Sequence, residues 1–153
     1  MRQIMGNKTA GTAFEREFAC RLAAEGFWVH LFQDNRNGQP CDIMAAREGE
    51  TYLFDCKNCD RKYFRLSRME ENQLNAMELF CRAGNRGGMF AIRFPRGPVW
   101  LADYRVLRGL RDQGVKSLGI SEIRTYARSL EDWLLEAGGQ GREERNDAGY
   151  GWV

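Results

Sequence analysis

Near the middle of the chain, Tyr52-Leu53-Phe54-Asp55-Cys56-Lys57 sets two opposite charges into a run that otherwise has the composition of an interior β-strand. Side chains alternate along a strand, so Asp55 and Lys57 share a face with Leu53, while Phe54 and Cys56 point the other way. Charges on a central strand are expensive to desolvate unless they are paired or bound to a metal. Upstream, Gln39-Pro40-Cys41-Asp42 opens a second apolar stretch, and Asp55 lies thirteen positions beyond Asp42. A tight turn at Glu48-Gly49-Glu50 makes the two stretches neighbours, close enough to set the carboxylate of Asp42 against that of Asp55. Converging carboxylates repel one another, and a divalent cation resolves the conflict.

The elements around this pair follow from periodicity and turn chemistry. Residues from about Gly11 to Ala24 read as a helix, with Phe14, Phe18 and Leu22 at four-residue spacing and Gly26 placed to end it. Phe27 to Phe32, Cys41 to Ala46 and Thr51 to Lys57 read as strands, with turn residues from Asn35 to Pro40. Ser67-Arg68-Met69-Glu70 reads as a capping box opening a helix to about Arg82, with Met69, Leu74, Met77, Phe80 and Cys81 as its buried stripe. Met89 to Phe94 and Val99 to Ala102 form a hairpin around Pro95-Arg96-Gly97-Pro98. A short basic helix from about Tyr104, a strand-like Val115 to Ile120 and helical character through Leu135 follow. Trp28, Trp100 and Trp133 are expected in the core, and His30 in a structural role. The order α-β-β-β-α-β-β-α predicts an α/β sandwich around a central mixed β-sheet flanked by helices. It occupies one domain over residues 1–137, and residues 138–153, rich in Gly, Glu, Arg and Asn, read as a flexible tail.

Composition narrows the function classes. With 43% hydrophobic and 29% charged residues, the 153-residue chain is expected to be globular, not disordered. No apolar run reaches the length needed to span a bilayer, and the N-terminus lacks a secretory stretch, so no membrane partner and a cytoplasmic location are expected. Five cysteines without an export signal read as reduced thiols. Cys56-Lys57-Asn58-Cys59 has no second Cys or His pair to complete a zinc site, and it falls inside a strand, where a redox motif would open a helix. The net charge of +2 does not announce nucleic acid, but its distribution is uneven. Basic residues gather at Arg61, Lys62, Arg65 and Arg68, and again at Arg105, Arg108 and Arg111. The Arg61-Lys62-Tyr63-Phe64-Arg65 stretch alternates cations with rings beside the carboxylate pair, as segments that grip phosphates and stack on bases do. The second cluster reads as a solvated helix face.

Oxygen ligands favour Mg²⁺ or Mn²⁺ over zinc. A cation so held activates water and stabilises charge on a phosphate oxygen. Lys57 alongside either orients the water or offsets the developing charge. Taken alone, Asp55 and Lys57 are better explained as a surface ion pair; the catalytic reading rests on the order of elements around them.

That order resembles the PD-(D/E)XK nuclease superfamily, and within it the Holliday-junction resolvases of the archaeal and RecU kinds. The likeness runs over roughly residues 11 to 103. It is carried by Gly11-Thr12-Ala13-Phe14-Glu15-Arg16-Glu17-Phe18, by Gly26-Phe27-Trp28-Val29, by the Pro40 to Asp42 and Asp55 to Lys57 strands, and by the hairpin. The resemblance implies a restriction-endonuclease-like fold and a metal site of Glu15, Asp42 and Asp55, with the carbonyl of Cys56 as a candidate further ligand. Glu17 is the alternative to Glu15. It further implies Lys57 as the catalytic lysine and Gln73 near the active site. With the basic stretch, the expected DNA contacts are Arg61, Lys62, Arg65, Arg68 and Gln73. Two departures stand out: Cys41 splits the proline-aspartate pair, and the second acid is Asp where Glu is commoner. Neither removes a needed chemical group. The expected protein is a metal-dependent DNA endonuclease acting on branched DNA as a homodimer. The rivals are a phage or mobile-element nuclease acting on duplex or ends, and a catalytically silent DNA- or protein-binding descendant of the fold.

Overall fold

The turn between the second and third strands closes on Glu48 and Gly49, whose φ angles of 56° and 82° are both positive, the type I′ geometry that a two-residue hairpin favours. It locks Arg47 opposite Glu50 and so fixes the register of β2 (Ile43–Arg47) on β3 (Glu50–Asn58). The structure, a computed structural model, describes residues 7–32 and 40–137, with side chains from residue 11 onward. The turn expected from Asn35 to Gln39 and the tail over 138–153 lie outside the described residues.

β1 (Trp28–Leu31) pairs antiparallel with β2, and β2 with β3. The chain then crosses over through α2 (Glu71–Arg82) to β5 (Gly87–Arg93), which runs parallel to β3. β6 (Val99–Asp103) returns antiparallel, and the short β8 (Arg128–Ser129) closes the order β1-β2-β3-β5-β6-β8. One face is covered by α1 (Asn7–Ala24), whose Phe14, Phe18 and Leu22 pack with Ile43, Phe54, Ala91 and Leu101. The other is covered by α2 and α3 (Tyr104–Asp112), where Leu74, Met77, Tyr104 and Leu107 pack with Leu53, Phe90 and Ile92. The mixed sheet between helical layers is the architecture expected from the element order.

α2 sits so close to β5 that a Cβ on Gly88 would lie 2.3 Å from Met77 Cγ. Gly88→Ala is therefore expected to destabilise the fold by about 1–3 kcal/mol through overpacking. Urea denaturation checks this, and an unchanged midpoint would contradict the close approach.

Four expectations are corrected. The cap of α2 is Glu70 with Gln73, not Ser67 with Glu70: residues Leu66–Arg68 form a 3₁₀ turn, and Met69 is extended and buried, which delays the helix. The Val115–Ile120 segment supplies β7 (Ser117–Gly119), which leaves the main sheet and pairs with β4 (Tyr63–Arg65) in a separate ribbon. The helical region beyond it is split into α4 (Ile120–Tyr126) and α5 (130–137) by extended Ala127 and β8. Trp28 is 59% exposed because β1 is the sheet's edge. The Arg108 and Arg111 side chains tie α3 to α2 through Glu78 and Glu71, while Arg105 pairs with Asp103 at the cap of its own helix. No helix among the described residues is long and apolar enough to cross a membrane.

Candidate active site

Continuing the β2–β3 register one step past Ile43↔Phe54 sets Asp42 opposite Asp55. Three backbone-anchored bonds hold Asp42: its carbonyl accepts from Phe32 N at 2.8 Å, its N–H donates to Phe54 O at 3.0 Å, and its Oδ2 accepts from Cys56 N at 2.7 Å. The carboxylate thus accepts a β3 backbone N–H just before β2 begins, which fixes its direction toward β3.

Asp55 is 2% exposed. Lys57 Nζ approaches its Oδ2 to 3.0 Å, but outside the line of a hydrogen bond, and that buried oxygen has no hydrogen-bond partner. Burial pushes the Asp55 carboxyl up to about 8; Lys57 opposes the shift and the neighbouring Asp42 adds to it. A buried carboxylate with one oxygen met by the Lys57 ammonium, facing a second carboxylate, is a donor set suited to a hard cation. The nearby thiols are not alternatives. Burial, with the carboxylates of Asp55 and Asp42, raises Cys41 and Cys56 far from the thiolate form that a soft metal needs. Cys56 packs with the α1 cluster and Cys59 lies buried in the other, so the two do not form a redox pair.

The structure brings Asp42, Asp55 and Lys57 together, but not the three-carboxylate cluster expected with Glu15. Among the described residues no three His, Cys, Asp or Glu side chains converge on one metal position. The reason is the strand's alternation: α1 covers the face of Phe54 and Cys56, and the negative charge of Glu15 is felt by the Cys56 thiol. Glu17, the alternative, is paired with Arg93 at 2.5 Å.

Beside the site, a groove of about 1080 Å³ runs past Cys56 and Asn58. Its cations are Arg61, Lys62, Arg65, Arg68 and Arg96, against one carboxylate among the described residues, Asp60. Of the basic stretch, Arg61 and Lys62 lie in the bend before β4, and Tyr63, Phe64 and Arg65 form β4 itself. Sequence composition does not single out Arg96. The signal for it is topological: its hairpin follows β5, which runs parallel to β3 and ends beside Asn58. Two expected DNA contacts are engaged internally. Arg68 donates to Asn58 O at 3.1 Å and lies over the Phe64 ring, while still lining the groove. Gln73 is buried, and its Oε1 accepts from Glu70 N at 3.1 Å, which commits it to the helix cap.

Comparisons with known proteins agree with this geometry. Over 71 residues the chain is 31% identical to the crossover junction endodeoxyribonuclease Hjc of Methanocaldococcus jannaschii, covering 46% of this chain and 51% of that protein. The match thus spans about half the relative's length. The Hjc structure from Archaeoglobus fulgidus, a Holliday junction resolvase from an archaeal hyperthermophile, superposes with a TM-score of 0.62 at 19% identity, over 82% of this chain and 95% of that one. At that identity the superposition establishes the fold. The model of the archaeal Holliday junction resolvase (Hjc) family matches residues 6–137, which takes in every strand and helix described above. With most of the chain so matched, this protein belongs to the archaeal Holliday junction resolvase family.

Proposed function

We propose that the protein is a divalent-cation-dependent endonuclease that cuts four-way DNA junctions, with Asp42, Asp55 and Lys57 as its catalytic residues. The observation that carries this reading is the opposed pair Asp42 and Asp55, one oxygen of it buried without a hydrogen-bond partner, with Lys57 Nζ at 3.0 Å. Family membership supplies the substrate class. Asp42 and Asp55 would hold the cation, Mg²⁺ or Mn²⁺, with the Cys56 carbonyl available on the same strand; bound there, it would lower the pKa of water and offset charge on the phosphate. The cation-lined groove starts at Cys56 and Asn58, on the strand that carries Asp55 and Lys57, and would bind the phosphates flanking the cut. Lys57 then presents a fixed positive charge to the oxygen on which negative charge develops, and its buried setting strengthens that interaction.

A homodimer suits this substrate, because a junction offers two symmetric cuts to two sites related by a twofold axis.

The test is cleavage of synthetic four-way junction, duplex and single-stranded DNA of matched sequence, with Mg²⁺, Mn²⁺ or EDTA. Metal-dependent cutting of the junction is expected. Equal cutting of duplex would favour the mobile-element nuclease, and no cutting of any substrate the silent descendant.

The groove makes a separate prediction. Replacing Arg61, Lys62 and Arg65 together with Ala should weaken binding to any DNA and flatten the salt dependence, by about one unit of log–log slope for each phosphate no longer neutralised. Filter binding across a salt series measures it, and an unchanged slope would exclude the groove as the DNA track.

A further inference from the structure

Among the side chains lining the groove is an aromatic ring, Tyr63, that phosphate binding does not use. Alternation along β4 buries Phe64 completely and turns Tyr63 outward, where it is 61% exposed among the cations Arg61, Lys62, Arg65 and Arg96. Its position is built. Tyr63 pairs directly across from Gly119, and a Cβ on that glycine would lie 3.5 Å from Tyr63 Cε1 and 3.6 Å from Cδ1. The ring therefore lies across the glycine, with the rest of its surface open to the groove. The ribbon beneath it is pinned at both ends, by Ile120 N to Lys62 O at 3.2 Å and by Leu66 N to Lys116 O at 3.0 Å. An exposed ring on a stiff support, ringed by cations, is the arrangement that stacks on a nucleobase while the charges hold the flanking phosphates.

In an intact duplex every interior base is already stacked on its neighbours, and a ring gains access only by paying for unstacking. At a four-way branch the pairs flanking the crossover have a face that can be opened at less cost. We propose that Tyr63 is the residue that distinguishes branched from linear DNA, by stacking on a base exposed at the crossover. The inference rests on the junction reading above and adds a specificity-determining residue that hydrolysis itself does not require. Tyr63 touches the base and not the reacting phosphate, so it sets preference and placement of the cut.

The test uses the full chain, a four-way junction with 2-aminopurine beside the branch, and a linear duplex of the same arm sequence, all in EDTA so that binding is read without cutting. Tyr63→Leu keeps apolar bulk on the strand but removes the aromatic face, and Tyr63→Phe keeps the face. Junction affinity should fall on the order of tenfold for Tyr63→Leu and stay near wild type for Tyr63→Phe. Duplex affinity should change by less than about twofold in both, because the cations are untouched. Quenching of 2-aminopurine should accompany binding of wild type and Tyr63→Phe, and be lost with Tyr63→Leu. A Leu variant with the wild-type junction-to-duplex ratio overturns the proposal, as does equal loss on both substrates, which would make the ring a support for the groove alone. Should the wild-type protein itself show no junction preference, the junction reading falls first, and that is seen before any substitution is made.

Discussion

Asp55→Asn is expected to reduce junction cleavage by about a hundredfold or more while leaving DNA binding nearly intact. The substitution keeps the shape of the side chain and removes the charge that would hold the cation. DNA affinity in EDTA should stay level, because the buried, metal-free Asp55 carboxyl already holds its proton near neutral pH and the substitution removes little charge. The same variant has a signature in stability. With the folded-state carboxyl raised to about 8 by burial, Asp55 keeps its proton in the folded protein while the unfolded chain releases it. An unfolded Asp titrates near about 4, so across roughly pH 4 to 8 the folded state binds more protons and stability falls as pH rises. Between pH 5 and pH 8 the metal-free wild type should lose on the order of 1–3 kcal/mol more than Asp55→Asn. Urea unfolding in EDTA at the two pH values measures the difference. Equal losses would mean that Asp55 is ionised and satisfied in the fold, and that the site has no need of a cation.

Lys57→Ala should also reduce cleavage by about a hundredfold or more, for a different reason. Both carboxylates remain, so the donor set for the cation is intact, while the developing charge on the phosphate loses its partner. The loss should appear in the chemical step: single-turnover rates fall while the affinity for junction DNA changes little. If Lys57→Ala cuts as fast as wild type, the ammonium at 3.0 Å from Asp55 is a structural ion pair and nothing more. Lys57→Arg separates charge from geometry, since it keeps the positive charge on a wider, planar group in a largely buried position.

The strand at the centre is legible in the sequence because its constraints are local. Alternation alone sets Asp55 and Lys57 apart from Phe54 and Cys56, and the two-residue turn at Glu48 and Gly49 determines which residue faces Asp55. A three-carboxylate group with Glu15 does not form among the described residues, and where Glu15 lies depends on how α1 packs on the sheet, a long-range choice that helix periodicity does not encode. Ser67 and Glu70 have the spacing of a capping box, yet burying Met69 outweighs it, and the helix starts later with a different pair. Arg68 and Gln73 look free in sequence because hydrogen bonds to backbone leave no compositional trace. Arg96 shows the converse, an unremarkable hairpin residue that parallel pairing of β3 and β5 brings to the groove. Apolar character alone would put Trp28 in the core, whereas a place on the sheet's edge is a property of strand order.

The central claim, that Asp42 and Asp55 together hold a divalent cation beside Lys57, is tested most directly by titrating Mn²⁺ into the protein in a calorimeter. Wild type and Lys57→Ala are expected to bind with similar affinity, and Asp55→Asn at least about tenfold more weakly, since one of two anionic ligands is gone. Binding by Asp55→Asn at the wild-type affinity, or no binding by wild type at all, would contradict the account.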